Sequence, residues 1–211
     1  MIITIDGPAA SGKGTLARRL AEELHLAHLD TGALYRAVAL SMLRAGDDLG
    51  DADKAGVHAA SLSPDLLEDA ALRAQETGQA ASRVARYPQV RASLLAFQRA
   101  FAANPPGDAQ GAVLDGRDTG SVVCPDAAVK LYVEASVQER ARRRAAELQA
   151  KGEAADFATI EAEIEARDRQ DKTRKEAPLV MPQGATKLDT TTMTADEALS
   201  AALAIIAKAR R

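Results

Sequence analysis

Behind the apolar run Met1-Ile2-Ile3-Thr4-Ile5 the chain reads Gly7-Pro8-Ala9-Ala10-Ser11-Gly12-Lys13-Gly14-Thr15. A β-branched strand feeding a glycine-rich loop, then a run of helix formers, is the context of a phosphate-binding P-loop. Gly7 and Gly12 let the backbone turn inward, so that successive N–H groups face phosphate oxygens. A helix expected from about Gly14 to Glu23 adds its positive N-terminal end. Lys13 is spaced to reach the β- and γ-phosphates, and the Thr15 hydroxyl to hold magnesium. In the strict motif Ser or Thr follows the lysine directly, whereas here Gly14 intervenes. The loop implies a bound nucleoside triphosphate and leaves a switch, a motor and a kinase open.

Three further groupings bear on that choice. Asp30-Thr31-Gly32-Ala33-Leu34-Tyr35-Arg36 places a hydroxyl at a strand end and an arginine about a turn later, a second anion site or an ordinary capped helix. Val113-Leu114-Asp115-Gly116-Arg117-Asp118 ends an apolar strand on a carboxylate suited to face magnesium, then turns at Gly116. Arg117 and Asp118 are thereby presented at the carboxyl edge of the sheet, where open α/β sheets bind ligands. Arg167, Asp171 and Arg174 fall at i, i+4 and i+7, on one face of a helix, with Arg169 opposite. Arg140, Arg143 and Arg144 share another helical face; Arg143, with Arg140, is the candidate for the transferring phosphate, the alternative being pairing with Glu139 and Glu147.

Strands at Ile2–Asp6, Ala112–Asp115, Val129–Val133 and Thr186–Asp189, with a shorter one near Ala27–Asp30, must position these groups. Helical stretches alternate with them, which predicts an α/β fold with a parallel five-stranded sheet flanked by helices. Ser136…Glu139 and Thr194…Glu197 read as capping boxes, and Thr31 as the cap of a helix toward Arg44. Residues 46–69 show no strand period and lead into helices up to about Ala103, with Asn104-Pro105-Pro106-Gly107-Asp108 a loop back to the sheet. From Arg140 to Arg174 the chain is charged and helical, broken near Lys151-Gly152, the pattern of a helical lid.

At 211 residues the chain suits a single domain with a sizeable core, and a formal charge of −3 argues against general nucleic-acid binding. The single cysteine, Cys124, excludes an intramolecular disulfide, fits a reducing cytosol and is expected to be a buried thiol. No apolar run reaches membrane-spanning length and no basic leader precedes the first strand, so a cytoplasmic protein is expected, with a monomer as the default. His25, His28 and His58 form no metal-ligand grouping and read as surface or packing residues.

The Gly-Lys-Gly-Thr ending resembles nucleoside monophosphate kinases more than GTP-binding switches. Together with Asp30 to Arg36, Ala81-Ser82-Arg83-Val84, Tyr87-Pro88-Gln89-Val90-Arg91, Asp115-Gly116-Arg117-Asp118-Thr119-Gly120, and Arg167 through Arg174 followed by Ala177-Pro178-Leu179, it occurs in an order that resembles the bacterial cytidylate kinases. The match covers essentially the whole chain. The resemblance implies a P-loop kinase domain over 1–211, with an acceptor-binding insert at about 38–103 and a lid at about 140–175. It implies ATP as donor with magnesium, CMP and dCMP as acceptors, and no nucleic-acid or membrane partner. Thr31, Arg36, Arg117 and Arg174 would hold the acceptor phosphate, Ser82, Arg91 and Asp118 the cytosine, and Arg167 and Asp171 the sugar. Thr190-Thr191-Thr192 would lie by the adenine. One departure is visible: residues 47–73 are short and rich in Pro, Ser and Ala, so the small β-ribbon many relatives carry there is expected to be reduced or missing.

Base chemistry agrees with that assignment. A carboxylate and a hydroxyl accept from the cytosine 4-amino group while a guanidinium donates to N3 and O2; uracil would set like against like. A phosphate acceptor is already anionic near neutral pH, which agrees with the lack of an evident general base. The catalytic set is then Lys13, Arg117, Arg143 and Arg174, with Thr15 and Asp115 for magnesium. Other small kinases, acting on UMP, AMP or a hydroxylated metabolite such as shikimate, and a nucleotide-gated switch remain the alternatives.

Overall fold

A computed structural model describes residues 1–209, at Pro64 the backbone alone. Residues 210 and 211, the end of the expected domain, lie outside the described residues. In chain order the elements are β1 (Ile2–Asp6), α1 (Lys13–Leu24), β2 (Ala27–Asp30), α2 (Thr31–Ala45), α3 (Ala52–Ala60), α4 (Gln75–Val84), α5 (Pro88–Ala103), β3 (Ala112–Gly116), β4 (Val129–Glu134), α6 (Val137–Ala150), α7 (Phe157–Thr173), β5 (Thr186–Asp189) and α8 (Ala195–Ala209). Two 3₁₀ turns, Pro64–Glu68 and Ala70–Arg73, precede α4, and a π-helical turn, Thr119–Val123, follows β3.

The five strands lie in the order β2-β3-β1-β4-β5. β1 runs parallel to β3 and β4 on either side, with Ile5 opposite Asp115 and Leu131, and β4 runs parallel to β5. A central strand is covered on both faces, which is why Ile2 to Ile5 read as a continuous apolar run rather than an alternation. The expected strands are all present, β3 and β4 each reaching one residue further than the apolar pattern.

The chain divides into two compact units, residues 1–28 with 105–211, and residues 29–104. In the first, Ile3, Ile5, Leu20, Val113, Leu131, Val133 and Ile206 form the main core, and Ala141, Leu148, Ile160 and Ile164 form a second cluster that pairs α6 with α7. In the second, Ala37, Leu40 and Leu72 form a small core with Leu62, Leu66 and Leu67 packed against it. Between Gly46 and Asn104 the described residues form helices and turns and no strand, so the ribbon is missing there. Cys124 is buried and forms no disulfide among the described residues.

Helix starts follow the sequence signals with one shift. Thr194 and Glu197 bond reciprocally as a capping box. Ser136 caps α6 through the Glu139 N–H, while its own N–H donates to Thr191 Oγ1, so that box is half formed. At α2 the cap is Asp30, whose carboxylate accepts from Ala33 N at 3.0 Å, and Thr31 is the first helical residue. Both residue types cap well, and the helix simply begins one residue earlier than a Thr31 cap requires.

Candidate active site

β1 delivers the chain to the P-loop at the carboxyl edge of the sheet. A Cβ on Gly7 would stand 2.0 Å from the Val133 carbonyl, so only glycine lets the loop begin this close to β4. Ala10 and Gly12 adopt left-handed backbone, with φ of 57° and 83°. Such turns aim successive N–H groups at one point, an anion-binding concavity. No side chain caps α1, which leaves its positive end to an anion. Lys13 Nζ donates to the Pro8 carbonyl at 3.2 Å, so the ammonium folds back over the loop. Ser11 is fully buried and its Oγ has no partner, a spare hydroxyl within the cradle.

Arg143 reaches this loop from α6. Its Nη1 donates to the Ser11 carbonyl at 3.3 Å and to Thr190 Oγ1 at 3.2 Å, its Nη2 to the Thr190 carbonyl at 2.6 Å, and its Nε to Glu139 at 3.1 Å. Arg144 instead pairs with Glu147 at 3.1 Å, the alternative weighed for it. Arg140 has a partner that the sequence does not name. Only 3% exposed, it forms a two-pronged pair with Asp168 of α7 at 2.6 and 3.0 Å, and it donates to the Ala135 and Ala9 carbonyls. Most of its donors are taken up in tying α7 to the P-loop.

Asp115, at the end of β3, is buried, and its Oδ1 lies 2.8 Å from His28 Nε2. Its Oδ2 lies 3.7 Å from where a Cβ on Gly14 would stand, one residue from Thr15. Through the Oδ1 contact His28 is the partner of a buried carboxylate, which nothing in its local sequence shows.

Arg117, Arg167, Asp171 and Arg174 come together. Arg117 Nε donates to Asp171 Oδ2 at 2.7 Å, and Arg174 Nη1 lies 3.9 Å from Oδ1. Burial pushes the Asp171 carboxyl up, but Arg117, then Arg167 and Arg174, more than offset it and hold it below the usual carboxylate range. Three arginines around one carboxylate leave an excess of positive charge. Arg174 is not on the helix as its spacing implies. It caps the C-terminus of α7 with extended backbone, and its Nε donates to the Ala177 carbonyl at 2.7 Å. The helix stops because the chain folds back, with Leu179 N donating to the Asp171 carbonyl.

Asp118 is buried, and its carbonyl accepts from Val122 and Val123, which starts the π turn. The adjoining Thr119 and Gly120 are held by Asp6, the last residue of β1 and fully buried. Burial pushes the Asp6 carboxyl up to about 6, against the bonds from Gly120 and Thr119, with Asp118 adding to the rise.

In residues 29–104, Thr31 is buried at the start of α2, and Arg36 pairs with Asp30 at 2.5 Å. The Arg91 guanidinium lies 5.6 Å from the centre of the Tyr35 ring and donates to the Ala85 carbonyl at 3.4 Å. Ser82, on α4, bonds to the Gly78 carbonyl at 3.3 Å. His58 bridges Ser41 at 2.7 Å and Asp47 at 2.9 Å, a tie between α2, the loop after it and α3.

The cytidylate kinase family model matches residues 3–208. This chain belongs to the cytidylate kinase family. It is 57% identical over 209 residues to the cytidylate kinase of Paramagnetospirillum magneticum, covering 99% of each chain. It is 52% identical over 207 residues to that of Rhodospirillum rubrum, covering 98% of this chain and 97% of the other. Among solved structures, an uncharacterized protein from Eubacterium ventriosum aligns over 98% of each chain with a TM-score of 0.53 at 13% identity, a likeness of fold alone. For a cytidylate kinase family member, sequence reasoning missed Asp6, His28 and Asp168. Asp168 stands beside Arg167 in a charged run, and Asp6 directly before the P-loop, but nothing local names their partners.

Proposed function

We propose that this protein transfers the γ-phosphoryl group of ATP to CMP or dCMP, giving the diphosphate. The observation that carries the reading is the cluster of Arg117, Arg167 and Arg174 around Asp171, in the same unit as the P-loop. A hydrolysing switch needs no second anion site of this kind, and a hydroxyl acceptor would call for a base.

The CMP phosphate is held by Thr31, Arg36, Arg117 and Arg174, its base by Ser82, Arg91 and Asp118, and its sugar by Arg167 and Asp171. The insert at about 38–103 is the acceptor-binding segment and 140–175 the lid. The attacking oxygen belongs to a phosphate whose second pKa is about 6, so it is anionic at neutral pH and needs no general base. Lys13, Arg117, Arg143 and Arg174 neutralise the charge that builds on the transferred group and hold the reactants in line. Magnesium fits the site, since it takes one or two protein oxygens and fills its remaining positions with water and phosphate. Thr15 and Asp115 would hold it, and it would supply further neutralisation of the β- and γ-oxygens.

The test is coupled diphosphate production with ATP and magnesium, comparing CMP, dCMP, UMP, AMP and shikimate at matched concentrations. We expect turnover with CMP and dCMP at least tenfold above the others, each buried mismatch with uracil costing about 1–3 kcal/mol. Equal CMP and UMP rates would overturn the base assignment, and the absence of any acceptor-dependent turnover would overturn the kinase reading in favour of a switch.

A further inference from the structure

The mechanism above makes no use of Asp6, although a fully buried carboxylate beside a phosphate-binding loop calls for a reason. Its Oδ1 accepts from Thr119 N at 2.7 Å and from Thr119 Oγ1 at 2.8 Å, and its Oδ2 accepts from Gly120 N at 2.8 Å. These donors open the π turn that directly follows Arg117 and Asp118. Next along the chain, Gly7 N donates to the Gly116 carbonyl at 3.3 Å, so the ends of β1 and β3 are registered with each other beside Asp6. The packing allows no slack. A Cβ on Gly120 would stand 2.7 Å from Thr4 Oγ1, 3.1 Å from Pro182 Cγ and 3.3 Å from Asp6 Oδ2, so the turn sits against β1 at a distance only glycine permits.

A π turn leaves its first N–H groups without partners in the turn, and one carboxylate takes both of them. We propose that Asp6 is a positioning residue for the acceptor: it ties the Arg117–Asp118 turn to the strand that ends in the P-loop, so that the residues reading CMP are registered to the loop holding ATP. This rests on the assignment of Arg117 and Asp118 to CMP. Asp6 touches neither nucleotide. It acts through the backbone N–H groups of residues 119 and 120, and the Thr119 hydroxyl adds a third, side-chain bond. Burial, with Asp118 nearby, keeps the carboxyl costly to ionise, so the three donors are what make its charge tolerable there.

The test is steady-state kinetics on the full chain, varying CMP at saturating ATP and ATP at saturating CMP. Wild type is compared with Asp6→Asn, Thr119→Val and, as a control on the assignment itself, Asp118→Ala. In Asp6→Asn an amide replaces one of the accepting oxygens. We expect kcat/KM for CMP to fall more than tenfold and the CMP-over-UMP ratio to narrow, with KM for ATP within twofold. Thr119→Val removes only the hydroxyl bond and is expected to raise KM for CMP threefold to tenfold, again sparing ATP. Should Asp6→Asn not fold, Thr119→Val decides. Unchanged CMP parameters in the folded variants, or CMP and ATP parameters that fall in equal measure, would overturn the positioning role, provided Asp118→Ala does alter CMP use. If Asp118→Ala also leaves the CMP-over-UMP ratio untouched, the base assignment has failed, and the positioning role falls with it.

Discussion

Around the P-loop, charged side chains are fixed by buried bonds between residues far apart in sequence. Arg140 holds Asp168 across 28 positions, Arg117 holds Asp171 across 54, and Asp6 holds Thr119 across 113. In residues 29–104 the proposed CMP-binding residues bond close to home. Arg36 and Asp30 are six residues apart, as are Arg91 and Ala85, and Ser82 reaches back four residues to Gly78. In the first arrangement each bond joins two different elements of the fold. The second is held by single helical turns and half-exposed pairs, which solvent weakens. The charges around the P-loop, Arg117 and Asp171 included, are thus set by long-range bonds, whereas Arg36 in residues 29–104 is held by a nearby pair that a ligand can exchange.

The largest expected effect tests whether the prebuilt side is catalytic or merely structural. Lys13 donates to the Pro8 carbonyl on the loop's own surface, not into the core. Lys13→Ala should therefore lower kcat by about 10²- to 10³-fold, the usual loss for a charge-stabilising donor, while the thermal midpoint stays close to wild type. Stopped-time assays alongside calorimetry read both. A large fall in the midpoint would mean that the loop is held open by this lysine, and the contrast between catalytic and structural charges would dissolve.

Arg140 and Asp168 provide the opposite case. Removing one partner of a buried pair leaves an uncompensated charge, at a cost of about 3–5 kcal/mol. For a chain of this length that is a fall of roughly 10 °C in the midpoint, so Arg140→Met should lose stability first and rate second. The double variant Arg140→Met with Asp168→Leu should recover much of the stability, because no lone charge remains. It should still raise KM for ATP severalfold, since the Ala9 carbonyl in the P-loop loses its donor. Recovery of both properties would show that the pair contributes nothing to the loop.

The same contrast explains what could be read from sequence. Strands, the P-loop and most helix starts depend on neighbours a few residues away, and Ile2 to Ile5 or Thr194…Glu197 carry those signals in full. The likeness to the cytidylate kinases supplied the acceptor set and its order. Hidden were the partners that only tertiary packing brings together: His28 for Asp115 between β2 and β3, Asp6 for the π turn, Asp168 for Arg140 between α6 and α7. Helical spacing puts Arg140 on a face with Arg143 and Arg144 but says nothing about the Asp168 that α7 brings to it. Arg174 was placed on the helix because its spacing continues the period, whereas the chain turns back one residue earlier.

The smallest expected effect concerns Asp30, where the exchangeable character of the second region can be measured directly. Its Oδ1 caps α2 through Ala33 N and its Oδ2 takes Arg36, with the carboxylate 40% and the guanidinium 26% exposed. Asp30→Asn preserves the cap, since Asn caps as well as Asp, and weakens only the pair with Arg36. If the CMP phosphate draws Arg36 away from this carboxylate on binding, the substitution removes a competitor. An exposed pair of this kind is worth at most about 1 kcal/mol, so KM for CMP should fall by about twofold to threefold with kcat unchanged. A rise in KM would mean that Asp30 aims Arg36 rather than competes for it. The arginine of residues 29–104 would then be fixed in advance like those around the P-loop, and the distinction between the two regions would rest on burial alone.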